Sequence, residues 1–370
     1  LGQEPSASPT PGLPSRARTV PLELVLLLGS ILVGLGLSEV AARALGLAPK
    51  IGRIDVERAE SAFEISPDPS LGYTLKPNYQ AQRGISKGIV TNSLGFRDPE
   101  RTIPKPPGVR RIAMLGDSVV MGYGLHDNQE TVPRQLEMLL APRGVEVLNM
   151  GVKGYCTRQE VELFRTKGLG TDPDLVMVVF LANDHFDTNT DVVHRNYAWP
   201  RPAWSERMFI ASHLFRWLAF RFDLFRFRSE LDPDWGMRHW NGPPPSDNVE
   251  DGLAMLAGLE RTRGFRSVVV VWPVFTDDAI LDPPALFEEG GERMKVETIA
   301  ARHQIPVVRL SDRFRADWRR RRLGGDGRSP MEIYTQADGM HPTAEGAEHT
   351  AHILAQVLDD SPGLLPQAGR

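Results

Sequence analysis

A chain of 370 residues exceeds the roughly 250 to 300 at which one hydrophobic core stops growing, so it has room for one large α/β domain with appendages or for two modest domains. Its net charge of -4, from 43 Lys and Arg against 47 Asp and Glu, excludes the basic stripe that nucleic-acid binding requires. The single cysteine, Cys156, excludes an intrachain disulfide and a thiolate zinc cluster.

The elements follow in chain order. Residues 1–21 form a Pro- and Ser-rich leader. Residues 22–45 are almost wholly apolar, with Glu23 and Glu39 near the ends, and about 20 such residues span a bilayer. The segment is expected to be a membrane anchor. The alternative is a cleaved secretory signal, because Ala42-Arg43-Ala44 has a small-x-small form. Basic residues flank both ends, Arg16 and Arg18 before and Arg43, Lys50 and Arg53 after. Residues 46–107 are rich in Pro, Gly and charge and read as a stalk and an irregular lead-in.

From residue 108 to 360 the pattern changes. Short β-rich runs occupy 111–115, 145–149, 175–181, 267–272 and 305–310, and helical patterns occupy 131–140, 158–167, 249–263, 286–303 and 343–358. Continuously apolar strands alternating with amphipathic helices predict a central parallel sheet covered on both faces, a three-layer α/β/α domain. A tail follows at 361–370. An insertion at 185–247 carries many aromatics, among them Trp199, Trp204, Phe209, Phe215, Trp235 and Trp240. It reads as a lid, an acyl-binding wall or a membrane-touching surface, or else as helices packing their rings on the main domain. The last is favoured, since Arg207, Arg216, Arg221 and Arg226 do not share one helical face as an interfacial helix needs.

Ligands of an open parallel sheet bind beyond the carboxyl ends of its strands. Ser118 follows the first strand in "AMLGDSV", "NMGVKGYCT" (149–157) the second and "LANDHFD" (181–187) the third, while "ADGMHP" (337–342) precedes the last helix, whose N-cap is expected to be Thr343. A serine needs a base, and the base needs a carboxylate to fix its tautomer. Asp338 and His341, three residues apart, can supply both, with His341 Nε2 turned toward Ser118. Backbone N–H groups of Ser118 and Gly154 and the Asn183 amide can receive the negative oxygen of a tetrahedral intermediate. Each residue also has an ordinary reading: Ser118 as a helix cap, Asp338 as a turn residue, Asn183-Asp184 as a helix start, Gly151 as a turn residue and Cys156 as a small buried side chain. Asp184, His185 and Asp187 lack a metal-ligand spacing, and Gly122-Tyr123-Gly124 lacks the Lys-Ser/Thr of a phosphate loop, so neither a metal nor a cofactor is expected.

Together Gly116-Asp117-Ser118, Gly154 within "NMGVKGY", Asn183-Asp184 and Asp338-Gly339-Met340-His341-Pro342 resemble the four sequence blocks of the SGNH (GDSL) hydrolase family, over roughly residues 108 to 358. The lead-in "LGYTLKPN" with "NSLGFRDPE" (71–100) is similar to the preface of membrane-tethered bacterial members. The resemblance implies a flavodoxin-like fold and hydrolysis, or sometimes transfer, of ester-linked acyl groups. It also implies Ser118 as nucleophile, His341 as base, Asp338 as its orienter, and Ser118, Gly154 and Asn183 as oxyanion donors. Ala182 stands where the family often has Gly, and Val119-Val120 after the serine departs from a G-x-S-x-G elbow. The expected function is a serine-type esterase working through an acyl-enzyme on a small ester or acylated glycan, O-acetyl groups included. The alternatives are an O-acyltransferase acting on an envelope glycan and a catalytically silent glycan-binding module. A single-pass anchor would place the catalytic domain outside the cytoplasm, with the membrane and the substrate as its partners and no nucleic acid.

Overall fold

The computed structural model describes residues 21–49, 62–66, 68, 70–71, 73–80, 87–185, 202–228, 248–281 and 295–365. Trp199, Trp235, Trp240, Asp187 and the leader before residue 21 lie outside the described residues.

The central sheet has five strands: β3 (Arg110–Gly116), β4 (Val145–Gly151), β5 (Leu175–Phe180), β6 (Arg266–Val271) and β9 (Val307–Arg309). They are all parallel, in the order β4-β3-β5-β6-β9. Counted along the chain this is 2-1-3-4-5, the flavodoxin-like order, whose switch point falls between β3 and β5. Both sheet faces are covered. Ile112 and Met114 point into one apolar core and Ala113 and Leu115 into the other, which is why these strands read as unbroken apolar runs and not as alternating ones.

Helix α1 (Leu22–Ala44) comes first. A three-residue hairpin, β1 (Phe63–Ile65) with β2 (Tyr73–Leu75), precedes the sheet. Between sheet strands lie α2 (Ser118–Met121), α3 (Val132–Leu140), α4 (Thr157–Leu163), α5 (Ala203–Ala211), α6 (His213–Arg221), α7 (Asn248–Arg263) and α8 (Val296–Arg302). After β9 come α9 (Leu310–Leu323), α10 (Pro330–Tyr334) and α11 (Ala344–Asp360), the last capped by the Thr343 hydroxyl, which accepts from the Gly346 N–H at 3.0 Å. A short pair, β7 (Val274–Phe275) and β8 (Ile280–Leu281), flanks the site.

The sheet edge at β4 is covered by charge. Glu137 Oε2 accepts from the Val147 N–H at 2.8 Å, Arg101 Nη2 donates to the Val147 carbonyl at 3.0 Å, and Asp98 lies 3.4 Å from the Asn149 N–H. An exposed row of such groups would invite another strand. Arg111, fully buried at the start of β3, spends its guanidinium on Glu146, the Thr171 carbonyl and the Thr102 carbonyl, so its charge is buried with its donors satisfied.

Several expectations are corrected. The last sheet strand is shorter than 305–310 because Leu310 already begins α9. The helix predicted at 158–167 starts at Thr157 and loosens into a π-turn at Phe164–Gly168. Within the described part of the insertion, Phe209, Ala219 and Phe227 form a core of their own, with the Phe209 and Phe227 rings stacked at 3.9 Å, and α6 packs against α1.

Candidate active site

Three loops meet at the β3/β5 switch point. Gly116 closes β3, and the Asp117 carboxylate caps the next turn by accepting from the Val119 N–H at 2.9 Å. The cap is therefore Asp117, and Ser118 is the first helical residue, with its hydroxyl released for other work. Gly151, expected in a turn, is instead the last residue of β4. It is glycine because α2 lies against it: a Cβ there would sit 2.2 Å from the Met121 nitrogen.

His341 and Asp338 arrive from the other end of the chain. Ser118 Oγ lies 2.7 Å from His341 Nε2, and His341 Nδ1 lies 2.6 Å from Asp338 Oδ2. Asp338 Oδ1 also accepts the Met340 and His341 N–H groups at 2.9 and 3.0 Å. Burial pushes this carboxyl up, but the His341 and Met340 hydrogen bonds outweigh it and hold it below the usual carboxylate range. An ionised Asp338 fixes the Nδ1–H tautomer and leaves the Nε2 lone pair facing the hydroxyl. The loop is held from beneath by Trp272, whose indole N–H donates to the Met340 carbonyl at 3.0 Å, and by the Phe275 N–H on the Gly339 carbonyl at 2.9 Å.

The donor side comes from the loops after β4 and β5. Asn183 sits in a single turn, Ala182–His185, and its amide Nδ2 donates to Asp117 Oδ2 at 3.1 Å. Burial drives the Asp117 carboxyl above its ordinary range against the pull of Val119 and Asn183. The same oxygen of Asp117 is 3.3 Å from Ser118 Oγ, a longer contact than that to His341. Asp184 turns away to accept from Thr157 Oγ1 at 3.0 Å, joining the loops after β4 and β5. Gly154 has φ of +77°, a left-handed conformation that suits glycine. Among the described residues neither the Ser118 nor the Gly154 N–H has an acceptor. Two backbone donors are thus unspent, one on Ser118 itself and one on the loop after β4.

Ser118, Asn183, Asp338 and His341 are therefore brought together, with Gly154 on the adjoining loop. Cys156 is buried, and burial raises its thiol to about 12, so it stays an inert small side chain. Among the described residues no group of three His, Cys, Asp or Glu side chains is placed to hold a metal.

Three neighbours of the site carried no motif. Tyr123 sets its ring 4.8 Å from the His341 ring, with Lys153 Nζ 4.4 Å from the Tyr123 ring centre. Gln336 donates from Nε2 to the Tyr123 carbonyl at 2.7 Å and to the Pro342 carbonyl at 3.2 Å. Arg97, buried in the lead-in, donates to the Met121, Gly122 and Leu125 carbonyls, closing the end of α2. The only signal for Gln336 was its position beside the Asp338–His341 loop.

The sequence model of the GDSL-like lipase/acylhydrolase family matches residues 114–349. No curated protein matches the chain. Among solved structures, a lipase/acylhydrolase from Enterococcus faecalis is 18% identical over 71% of this chain and 100% of that one, with a TM-score of 0.38. An acetyl xylan esterase is 11% identical over 67% and 99%, with a TM-score of 0.37. A two-domain esterase active on acetylated mannans is 13% identical over 71% and 53%, with a TM-score of 0.40.

Proposed function

The chain belongs to the GDSL-like lipase/acylhydrolase family and hydrolyses ester bonds, and from that premise we propose that it is a serine esterase in which Ser118 is acylated and then freed by water. His341 Nε2 takes the Ser118 proton as Oγ attacks the acyl carbon, and Asp338 steadies the imidazolium through Nδ1. The N–H groups of Ser118 and Gly154 and the amide of Asn183 receive the carbonyl oxygen as it becomes negative. The tetrahedral intermediate collapses, His341 returns the proton to the leaving alcohol, and a water activated by the same imidazole releases the acid.

The observation that carries this reading is the relay from Ser118 Oγ at 2.7 Å through His341 to Asp338 at 2.6 Å. Small esters, O-acetyl groups on a glycan among them, are the substrate class proposed. Helix α1 is taken as a retained single-pass anchor for an extracytoplasmic catalytic domain at 108–360, which protease protection in sealed vesicles tests.

The deciding experiment uses Ser118→Ala in the full chain. The variant is expected to lose p-nitrophenyl acetate turnover and fluorophosphonate labelling while its circular dichroism stays unchanged. Unchanged turnover would remove Ser118 from the mechanism. Product analysis with a glycan acceptor present distinguishes hydrolysis from acyl transfer.

A further inference from the structure

Helix α1 does not end in free solvent. The Glu39 carboxylate accepts the Ser212 hydroxyl at 2.7 Å and the His213 and Leu214 N–H groups at 2.9 Å each, so it caps the first turn of α6. Arg43 donates to the Ala211 carbonyl, the last residue of α5, at 2.9 Å. Ala42 is only 1% exposed. The small-x-small stretch is therefore helical and occupied, and cutting there would require unwinding the last turn of α1 and breaking its bonds to α5 and α6.

The arginines of the insertion divide by role. Arg216 is buried and donates to the Phe209, Ile210 and Pro49 carbonyls, closing the end of α5. Arg207 and Arg221 remain on the surface. With Arg216 accounted for, the objection that the arginines share no face no longer applies to α5. Its exposed positions are Trp204, Arg207, Met208, Ile210 and Ala211, which together cover about 160° of the helix circumference, a broad outward face. Ser205 and Phe209 are turned inward. An amphipathic helix that buries a small internal core yet exposes 54% of Trp204 and 43% of Met208 presents its apolar face to the outside, as interfacial helices do.

The position of this face supplies its partner. Residues 22–38 of α1 precede Glu39 and span about 26 Å at 1.5 Å per residue, close to the hydrocarbon thickness of a bilayer. Glu39 and Arg43 thus mark the exit from the apolar layer, and α5 and α6 are fixed to them. Trp is the side chain favoured at that depth, and arginine beside it meets phosphate headgroups.

We propose that α5 and α6 form a membrane-interface platform, with the Trp204–Arg207–Met208 face of α5 seated among the headgroups of the bilayer that α1 crosses. This rests on the reading of α1 as a retained anchor. The platform is joined to the anchor at Glu39, whose carboxylate caps α6.

The test uses the full chain in vesicles of phosphatidylethanolamine and phosphatidylglycerol. Cys156 is buried, so Met208→Cys, and separately Trp204→Cys, can be labelled with an environment-sensitive fluorophore. The expected result is a blue shift on reconstitution from detergent and loss of fluorescence to lipids carrying a nitroxide near the headgroup. Failure of the chain to float with the vesicles would overturn the anchor and the platform together. Flotation with a label quenched only by aqueous iodide would overturn the platform alone. Quenching that rises with chain density and ignores the nitroxide lipid would assign the face to a second copy and likewise overturn the proposal.

Discussion

Asp117 and Asn183, the residues beside the two central strand ends, are joined by a 3.1 Å hydrogen bond from the amide to the carboxylate. The amide is thereby tied to the carboxylate oxygen that also lies 3.3 Å from Ser118 Oγ, which fixes its plane beside the hydroxyl. Asp117 also caps α2 through the Val119 N–H. Asn183→Ala is expected to lower kcat about 100- to 1000-fold with little change in KM, the scale for loss of one oxyanion donor. Asp117→Ala should reproduce part of that loss and also reduce stability by about 1 kcal/mol through the lost cap. Steady-state kinetics and thermal unfolding separate the two effects, and an Asn183→Ala enzyme with full kcat would discard the donor role.

A second link runs between the Ser118 turn and the His341 loop. The Tyr123 N–H donates to the Ser118 carbonyl at 2.9 Å, while its own carbonyl accepts from Gln336, whose backbone N–H in turn donates to the His341 carbonyl at 2.7 Å. Gln336 therefore sets the distance between two loops more than 200 residues apart. Gln336→Leu should lower kcat and the rate of fluorophosphonate labelling by about 10- to 100-fold, the penalty for a misplacement near 1 Å, while KM for a small ester stays close to its original value. Equal labelling rates would show that the Ser118–His341 distance is set elsewhere.

What could be read in advance follows from physics that acts locally. The sheet strands were legible because burial on both faces leaves no polar position, and Ser118, Asp338 and His341 because their types and order are rarely combined for another reason. Helix α9 escaped notice because six of its 14 residues are arginine and only Leu310, Ser311 and Phe314 are buried, so it carries no apolar stripe. The β1–β2 hairpin has strands of three residues, too short for an alternating pattern to register. The Asp117–Asn183 bond, the Gln336 bridge and the junction of Glu39 with α6 are contacts between distant parts of the chain, and nothing in the spacing of residues announces them.

Under the edge strand, Asp98 and Glu137 share the Arg101 guanidinium. Burial raises the Asp98 carboxyl from the usual 3.8 to about 6, although Arg101 pulls it down. Between these two pH values the folded chain holds a proton that the unfolded chain has lost. Stability therefore falls as pH rises from about 4 to 6, by no more than about 3 kcal/mol, and the whole cost is present above 6. Asp98→Asn removes the titration, so the stability difference between variant and parent should move in the variant's favour across that window and then level off. Denaturant unfolding of the full chain in detergent at pH 4.5 and 7.5 measures this, and parallel profiles would contradict it.

Gly154 is held between its own backbone angle and the lead-in. The Tyr73 hydroxyl donates to the Lys153 carbonyl, and a Cβ on residue 154 would lie 2.8 Å from the Tyr73 hydroxyl oxygen. Gly154→Ala therefore meets two penalties, left-handed strain of about 1 to 2 kcal/mol and a contact that pushes the N–H away from the oxyanion position. Activity should fall more than stability. Adding Tyr73→Phe removes the oxygen that the new methyl strikes but leaves the backbone strain, so the double variant should recover part of kcat while its melting temperature stays below that of the parent. Full kcat in Gly154→Ala alone would mean that this N–H never receives the oxyanion. Recovery of the melting temperature without kcat would mean that the hydroxyl contact limits folding and not the chemistry.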